Sequence, residues 1–218
     1  MDCVESCLNE ALKIAGRFFT MDELMKTLTR DQGFWGDQGG VTFTGGEPLL
    51  QHEFLFEALR QCRSRYMHTA VETSAHVDTI ILKEILQWLD WLFIDITHMD
   101  PIAHRQQTGL DNSLILRNIE ELAFSGWKGR LIIRVPVIPG YNDTGENLSY
   151  TAEYMKQHGL KEVNLLPFHR LGTSKYEQLG VTYKYSKVEP PSRMAMLANQ
   201  RIFEDAGLDC YIDYETPF

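Results

Sequence analysis

Six short apolar runs alternate with six amphipathic ones along most of the chain, and that alternation sets the expected architecture. The apolar runs are Val41–Thr44, Thr69–Thr73, Trp91–Ile96, Leu131–Val137, Glu162–Leu166 and Asp209–Asp213. They are short and show little alternation, so they read as strands buried on both faces. The amphipathic runs, Met21–Arg30, Glu53–Cys62, Thr79–Leu89, Asn112–Ser125, Thr144–His158 and Pro191–Ala206, repeat apolar residues at three- and four-residue steps. That is the period of a helix with one buried face. Thr20, with Glu23 three residues on, gives the first of them a capping box. Repeated strand–helix units predict an α/β domain on a parallel sheet with right-handed crossovers, either an open sheet or a barrel or part-barrel. In each case the ligand site belongs at the carboxyl ends of the strands. The segment Arg170–Pro191, rich in Tyr, Lys and Gly, reads as a long loop.

The strand ends therefore carry the candidate chemistry. The first runs VTFT into Gly45-Gly46-Glu47-Pro48. Paired glycines let the backbone take positive φ and let a ligand approach closely. Glu47 then aims a carboxylate into that gap, beside exposed backbone groups that suit an ammonium-bearing ligand. The second end offers Glu72, Thr73 and Ser74, the third Asp95, Thr97, His98 and Asp100, and the fifth Pro167, His169 and Arg170. Arg134 lies inside the fourth strand, where a charge is costly unless it meets a carboxylate. Each has a plainer reading: Glu47 solvated in a tight turn, Asp95 capping a helix, Arg134 paired with a neighbouring acid, His169 bonded within its loop. Their joint position on different strands favours a polar pocket for a charged, multifunctional ligand.

Composition narrows the class. With 218 residues the chain supports one substantial domain. A net charge of −9 argues against a nucleic-acid binder. No run approaches the roughly 18 apolar residues of a membrane span, and no basic region followed by an apolar one marks a secretory leader. The four cysteines, Cys3, Cys7, Cys62 and Cys210, are few and uneven. That suits reduced thiols or metal ligands in a cytoplasmic protein better than a disulfide framework.

Five motifs stand in one order: TFTGGEPLLQ, IDITHMD, HRQQTG followed by N-x-x-I-x-x-N-I, IIRVPVIPGYND and LLPFHRLGTSKYEQLG. Together they resemble the activating enzymes of glycyl radical enzymes, the pyruvate formate-lyase activase group of the radical S-adenosylmethionine superfamily. The resemblance covers nearly the whole chain. It implies a (βα)6 part-barrel and an oxidoreductase that cleaves S-adenosylmethionine reductively at a [4Fe–4S] cluster. It also implies hydrogen-atom abstraction from a glycine of a partner glycyl radical enzyme, with an electron donor such as flavodoxin or ferredoxin. Carried over by position, Gly45, Gly46 and Glu47 would bind the methionine amino group, and Thr73 and Ser74 would line the methionine site. Asp95 matches the acid of the third-strand motif. Arg134 would meet the methionine carboxylate or a ribose oxygen, and His169 would stand near the adenosine.

Two departures alter the expectation. Thr97 stands where the family has a Lys, leaving Arg134 as the cation for the cofactor carboxylate. The family's C-x3-C-x2-C cluster signature is absent, and Glu10 holds the third position after Cys3 and Cys7. The run CVESCLNEALKIAGRFF resembles instead the end of a ferredoxin-like insert, with Leu8 where Pro is usual and Cys3 and Cys7 as remnants of an auxiliary cluster site. On this reading residues 1–19 are that remnant, residues 20–218 the part-barrel without its first βα unit, and the isolated chain does no radical chemistry. Cys62 and Cys210 read as core residues. Two other readings remain open at this point. One is a non-catalytic module that binds S-adenosylmethionine or a partner. The other is an unrelated barrel enzyme using Asp95, His98 and His169 as acid–base or metal groups.

Overall fold

The computed structural model describes residues 4, 6–8, 14, 16–36 and 39–217. Contacts divide the chain into two compact units, Met1–Gly39 and Gly40–Phe218. In the first, helix α1 (Met21–Asp31) begins with the expected capping box: Thr20 Oγ1 accepts from the Glu23 amide at 3.2 Å, and Glu23 Oε2 accepts from the Thr20 amide at 2.8 Å. Cys3 lies outside the described residues. Cys7 is half-buried, and its amide donates to the Val4 carbonyl at 3.3 Å.

The second unit carries one six-stranded sheet, β1 (Gly40–Phe43), β2 (His68–Thr73), β3 (Trp91–Asp95), β4 (Arg130–Val137), β5 (Glu162–Pro167) and β6 (Asp209–Ile212). All neighbours pair in parallel, in the order of the sequence. The long connecting helices pack against one face of the sheet, as right-handed crossovers between sequential neighbours require, and the sheet curls into a part-barrel that stays open. The helices are α2 (His52–Ser64), α3 (Thr79–Ile85), α4 (Pro101–Thr108), α5 (Ser113–Ala123), α6 (Gly145–Gln157), α7 (Thr173–Gln178) and α8 (Arg193–Asp205).

The two sheet faces differ sharply. Val71, Leu92, Ile94, Ile133, Val135, Val163, Leu165 and Cys210 join Leu59, Leu82, Ile119, Leu148, Met155 and Phe203 in one core under the helices. The strands were expected to be buried alike on both faces, but the inner face is different. There a small cluster of Ala70, Phe93 and Ile132 is flanked along the register by Glu72, Asp95, Arg134 and Asn164. Two helices were not anticipated. α4 carries no apolar stripe, yet Asp100 caps it at Ala103 (2.7 Å), Pro101 opens it and Gly109 ends it at φ 90°. Those are helix start and stop signals independent of periodicity. α7 lies inside the expected loop and is only six residues long.

Candidate functional site

The glycine turn opens where β1 ends. Gly45 and Gly46 take φ of 85° and 49°, and no atom lies within 4 Å of where a Cβ would project from either. A side chain there would be strained, and the space above the backbone is free for a ligand. Glu47 follows as the cap of a short 3₁₀ turn, Pro48–Gln51. Its Oε1 accepts from the Leu49 amide (3.1 Å) and the Thr73 hydroxyl (2.6 Å); its Oε2 accepts from the Ser74 amide (2.9 Å) and the Ser74 hydroxyl (2.7 Å). Four donors fill the roughly four acceptor positions of a carboxylate. The carboxylate thus caps its own turn and ties that turn to the end of β2, instead of standing solvated in it.

The loop after β2 is itself held. Ala75 is buried with φ 55°, a conformation a non-glycine residue keeps only when its surroundings fix it. Asn118 of α5, fully buried, supplies that constraint: its Nδ2 donates to the carbonyls of Ala75 and Val77, each at 2.8 Å, and its Oδ1 accepts from the Thr79 hydroxyl at 2.6 Å. Asn112 does the same for the loop after β3, donating to the carbonyls of His98 and Met99 at 2.8 Å. Asn142 donates to the carbonyls of Thr97 and Pro136.

A charged strip crosses the inner face beside the turn. Arg134 Nε and Nη2 donate to the two Asp95 oxygens at 2.8 and 3.2 Å, and its Nη1 meets Glu72 Oε2 at 2.7 Å. The Thr44 hydroxyl also donates to that Glu72 oxygen, at 2.8 Å, linking the strip to the glycine turn. Burial pushes the Asp95 carboxyl above its ordinary value; the Arg134 guanidinium pulls it back, but Glu72 and Glu47 add to the rise. Burial alone would lower Arg134, and its bonds and charges with Asp95 and Glu72 outweigh that and hold it high. One guanidinium thus pairs with two carboxylates, Glu72 and Asp95, and Glu47 lies near enough to Asp95 to add its charge, so that acids outnumber the cation at this mouth.

His169 stands apart from this group. It is exposed and lines a cleft of about 470 Å³ with Thr97, Phe168, Tyr176, Tyr183 and Tyr185. His98 lines a different cleft, of about 450 Å³, with Tyr141 and Asn147. Its Nδ1 accepts from the Asp100 amide at 2.9 Å, and burial lowers its pKa. Asp95, His98 and His169 therefore do not form one acid–base or metal group. Among the described residues no three His, Cys, Asp or Glu side chains gather as metal ligands.

A sequence profile of the Radical SAM superfamily matches residues 7–149. The chain belongs to that superfamily. Over 217 residues it is 49% identical to the 4-hydroxyphenylacetate decarboxylase activating enzyme of Clostridioides difficile (strain 630), covering 100% of this chain and 69% of that protein. It is 36% identical to the indoleacetate decarboxylase activating enzyme of Tractidigestivibacter scatoligenes, over 97% of this chain and 67% of that one. Among solved structures, a domain of a pyruvate-formate lyase-activating enzyme from Bacteroides vulgatus superposes with a TM-score of 0.68 at 32% identity, covering 80% of this chain and 99% of that domain. Within the superfamily the chain stands with the activating enzymes of glycyl radical enzymes, and the part-barrel is their fold.

Radical SAM proteins hold S-adenosylmethionine and an iron–sulfur cluster. The residues at the glycine turn fit the first: open backbone at Gly45 and Gly46, and an acid-rich mouth matched to an ammonium and a sulfonium. For the second, no three candidate ligands gather among the described residues. Cys62 and Cys210 are buried in the core, where burial pushes their thiols up to about 11 and about 12, whereas an iron–sulfur cluster takes thiolates. Sequence reasoning names Glu72 only as a strand-end acid, reads Asn142 as part of an ordinary turn, and gives Asn112 and Asn118 no role. The first two are the Asn positions of the N-x-x-I-x-x-N spacing, and Asn142 lies in PGYND.

Proposed function

We propose that this chain carries the S-adenosylmethionine-binding half of a glycyl-radical-enzyme activating enzyme. The observation that supports this most directly is the open, positive-φ backbone of Gly45 and Gly46 set beside a carboxylate held by four donors. In this reading the methionine ammonium hydrogen-bonds to the open backbone at Gly45–Gly46, and Glu47, its acceptor positions already taken by Leu49, Thr73 and Ser74, attracts it through charge. Arg134 uses three of its five N–H donors on Asp95 and Glu72. The rest point it towards the cofactor carboxylate or a ribose oxygen, the role left to it by Thr97. His169, with the tyrosines of its cleft, faces the adenosine end.

The cluster, when present in an enzyme of this family, supplies the electron that splits the bound sulfonium. Cys3 and Cys7 are at most the remnant of an auxiliary cluster site. The isolated chain therefore binds the cofactor without cleaving it, the electron from flavodoxin or ferredoxin having no cluster to enter. The partner is a glycyl radical enzyme of the 4-hydroxyphenylacetate decarboxylase kind, a choice supported by 49% identity over the whole chain against 35% to a sulfopropanediol dehydratase activating enzyme.

Titration calorimetry with S-adenosylmethionine tests the binding, and no heat with the folded chain would end this reading. Anaerobic treatment with iron, sulfide, dithionite and S-adenosylmethionine tests the inactivity. Stoichiometric 5′-deoxyadenosine from this chain alone would overturn it.

A further inference from the structure

A cation stands beside the tyrosine-lined cleft and answers no acid of the protein. Lys184 lies between Tyr183 and Tyr185, which line that cleft together with Thr97, Gln107 and His169. Its Nζ donates to Gln107 Oε1, on α4, at 2.7 Å and sits 5.4 Å from the centre of the Tyr185 ring. Among the described residues its contacts are this neutral amide and this ring, with no carboxylate. Arg170, the neighbouring cation, is placed differently: Glu189 holds it at 3.2 Å, and it donates to the Ser186 carbonyl at 3.3 Å. Those two bonds close the tyrosine segment into a loop. No residue from 169 to 195 is buried, and a segment with so little buried surface shifts at small cost.

We propose that Lys184 is a carboxylate-binding residue of the cofactor cleft, parked on Gln107 until the ligand arrives. The assignment rests on the proposed function and deepens it. S-adenosylmethionine brings an ammonium, a sulfonium and a carboxylate. The acids of the mouth answer the two positive groups and repel the negative one. Arg134 is shared between Glu72 and Asp95, so its charge is largely neutralised by the protein itself. A second cation is needed, and Lys184 is adjacent to two cleft residues and bonded to a third.

The chemistry of its partner suits a residue that must change partners. A hydrogen bond to a carboxylate is about twice as strong as one to a neutral amide, so the ligand outcompetes Gln107 where a protein acid would hold Lys184 fast. An ammonium has three N–H donors, and Gln107 uses one, so Lys184 has donors left for a carboxylate. Its flexible four-carbon stem gives the reach. Tyr183 and Tyr185, on either side, follow it towards the ligand.

Titration calorimetry at fixed ionic strength tests this with two ligands, S-adenosylmethionine and decarboxylated S-adenosylmethionine, which keeps the ammonium and the sulfonium. Lys184→Met should weaken binding of the first about five- to tenfold, between the effect of an exposed ion pair and that of a charged hydrogen bond. Affinity for the decarboxylated ligand should stay within about twofold. Lys184→Arg, which returns a cation, should recover most of the loss. Equal weakening of both ligands would show that Lys184 only supports the segment, and an unchanged affinity for S-adenosylmethionine would show that it does not reach the carboxylate. Either result overturns the assignment. If the decarboxylated ligand binds too weakly to compare, the Arg variant decides: a loss that it does not recover is not a loss of charge. No binding of S-adenosylmethionine to the folded parent chain ends the cofactor reading and this assignment together. Binding to the parent chain with no selective loss in Lys184→Met removes Lys184 alone.

Discussion

Glu47 and Ser74, 27 residues apart in sequence, are joined twice: the Ser74 amide and hydroxyl both donate to Glu47 Oε2, at 2.9 and 2.7 Å. With Thr73 on the other oxygen, the end of β2 dictates where the acid of the glycine turn points. Electrostatic sites act through preorganised groups whose orientation costs nothing when the ligand arrives. Here a short hydrogen-bond chain supplies the preorganisation, and it reaches back through Ala75 to Asn118.

Glu47→Gln should be more damaging than its size suggests. The carboxamide turns one acceptor into a donor that faces fixed backbone N–H and hydroxyl donors. The unsatisfied pairs should cost about 2 kcal/mol in urea unfolding, and Ser74→Ala, which removes one hydroxyl, about 1 kcal/mol. S-adenosylmethionine affinity should fall in the same order. A neutral Glu47→Gln variant would show that the four-donor arrangement does not hold the turn.

Asn118→Leu keeps the volume of a buried side chain but abandons two carbonyls and a hydroxyl. We expect a loss of about 2 to 3 kcal/mol, with the loop after β2 released from the left-handed conformation at Ala75. Hydrogen exchange should show it locally: amides 73–77 exchange faster than those of β4 and β5 in the variant. If exchange rises evenly across the sheet, Asn118 supports the core generally and not this loop.

The two core thiols offer a pH test. Burial pushes Cys62 up to about 11 and Cys210 up to about 12, so at a pH near 8 roughly one Cys62 in a thousand is thiolate. Iodoacetamide should modify neither in the native chain within minutes, and both in denaturant. Labelling of Cys62 or Cys210 in the native chain, located by mass spectrometry, would contradict their burial.

Most of the fold was legible because its signals are local. Buried strands show as apolar runs, and the six expected strands match the six observed to within a residue or two at each end. Gly45-Gly46-Glu47 was legible because positive φ has a compositional mark. What the sequence hid is pairwise. Nothing in LIIRVPV says that Arg134 meets Asp95 and Glu72 together, since register across three strands decides it. Asn118 is a polar residue on the buried face of its helix, and only the folded loop shows the carbonyls of Ala75 and Val77 that it serves. α4 was hidden for a different reason: it buries only His104 and so leaves no apolar stripe, though its Asp-Pro start and glycine stop were there to read.

The Arg134 strip gives the last prediction. Arg134→Met keeps the stem's packing and removes the cation that joins Glu72 and Asp95. The three side chains are 16%, 27% and 32% exposed, so the loss at neutral pH should be about 2 kcal/mol, between exposed and buried pairs. Its pH dependence has a defined sign. Asp95 already lies above its ordinary carboxyl value because of burial, and without Arg134 it must rise further. A carboxyl whose folded pKa exceeds its unfolded one binds its proton more tightly in the folded state. Stability is therefore regained as the pH falls through that folded pKa and lost again above it. The gap between the parent chain and Arg134→Met should narrow as the pH drops from neutral towards about 4, the range where carboxyls protonate. Urea unfolding at a series of pH values measures it, and a gap that stays constant or widens on acidification would mean that Arg134 stabilises through packing over Phe93 and not through the two acids.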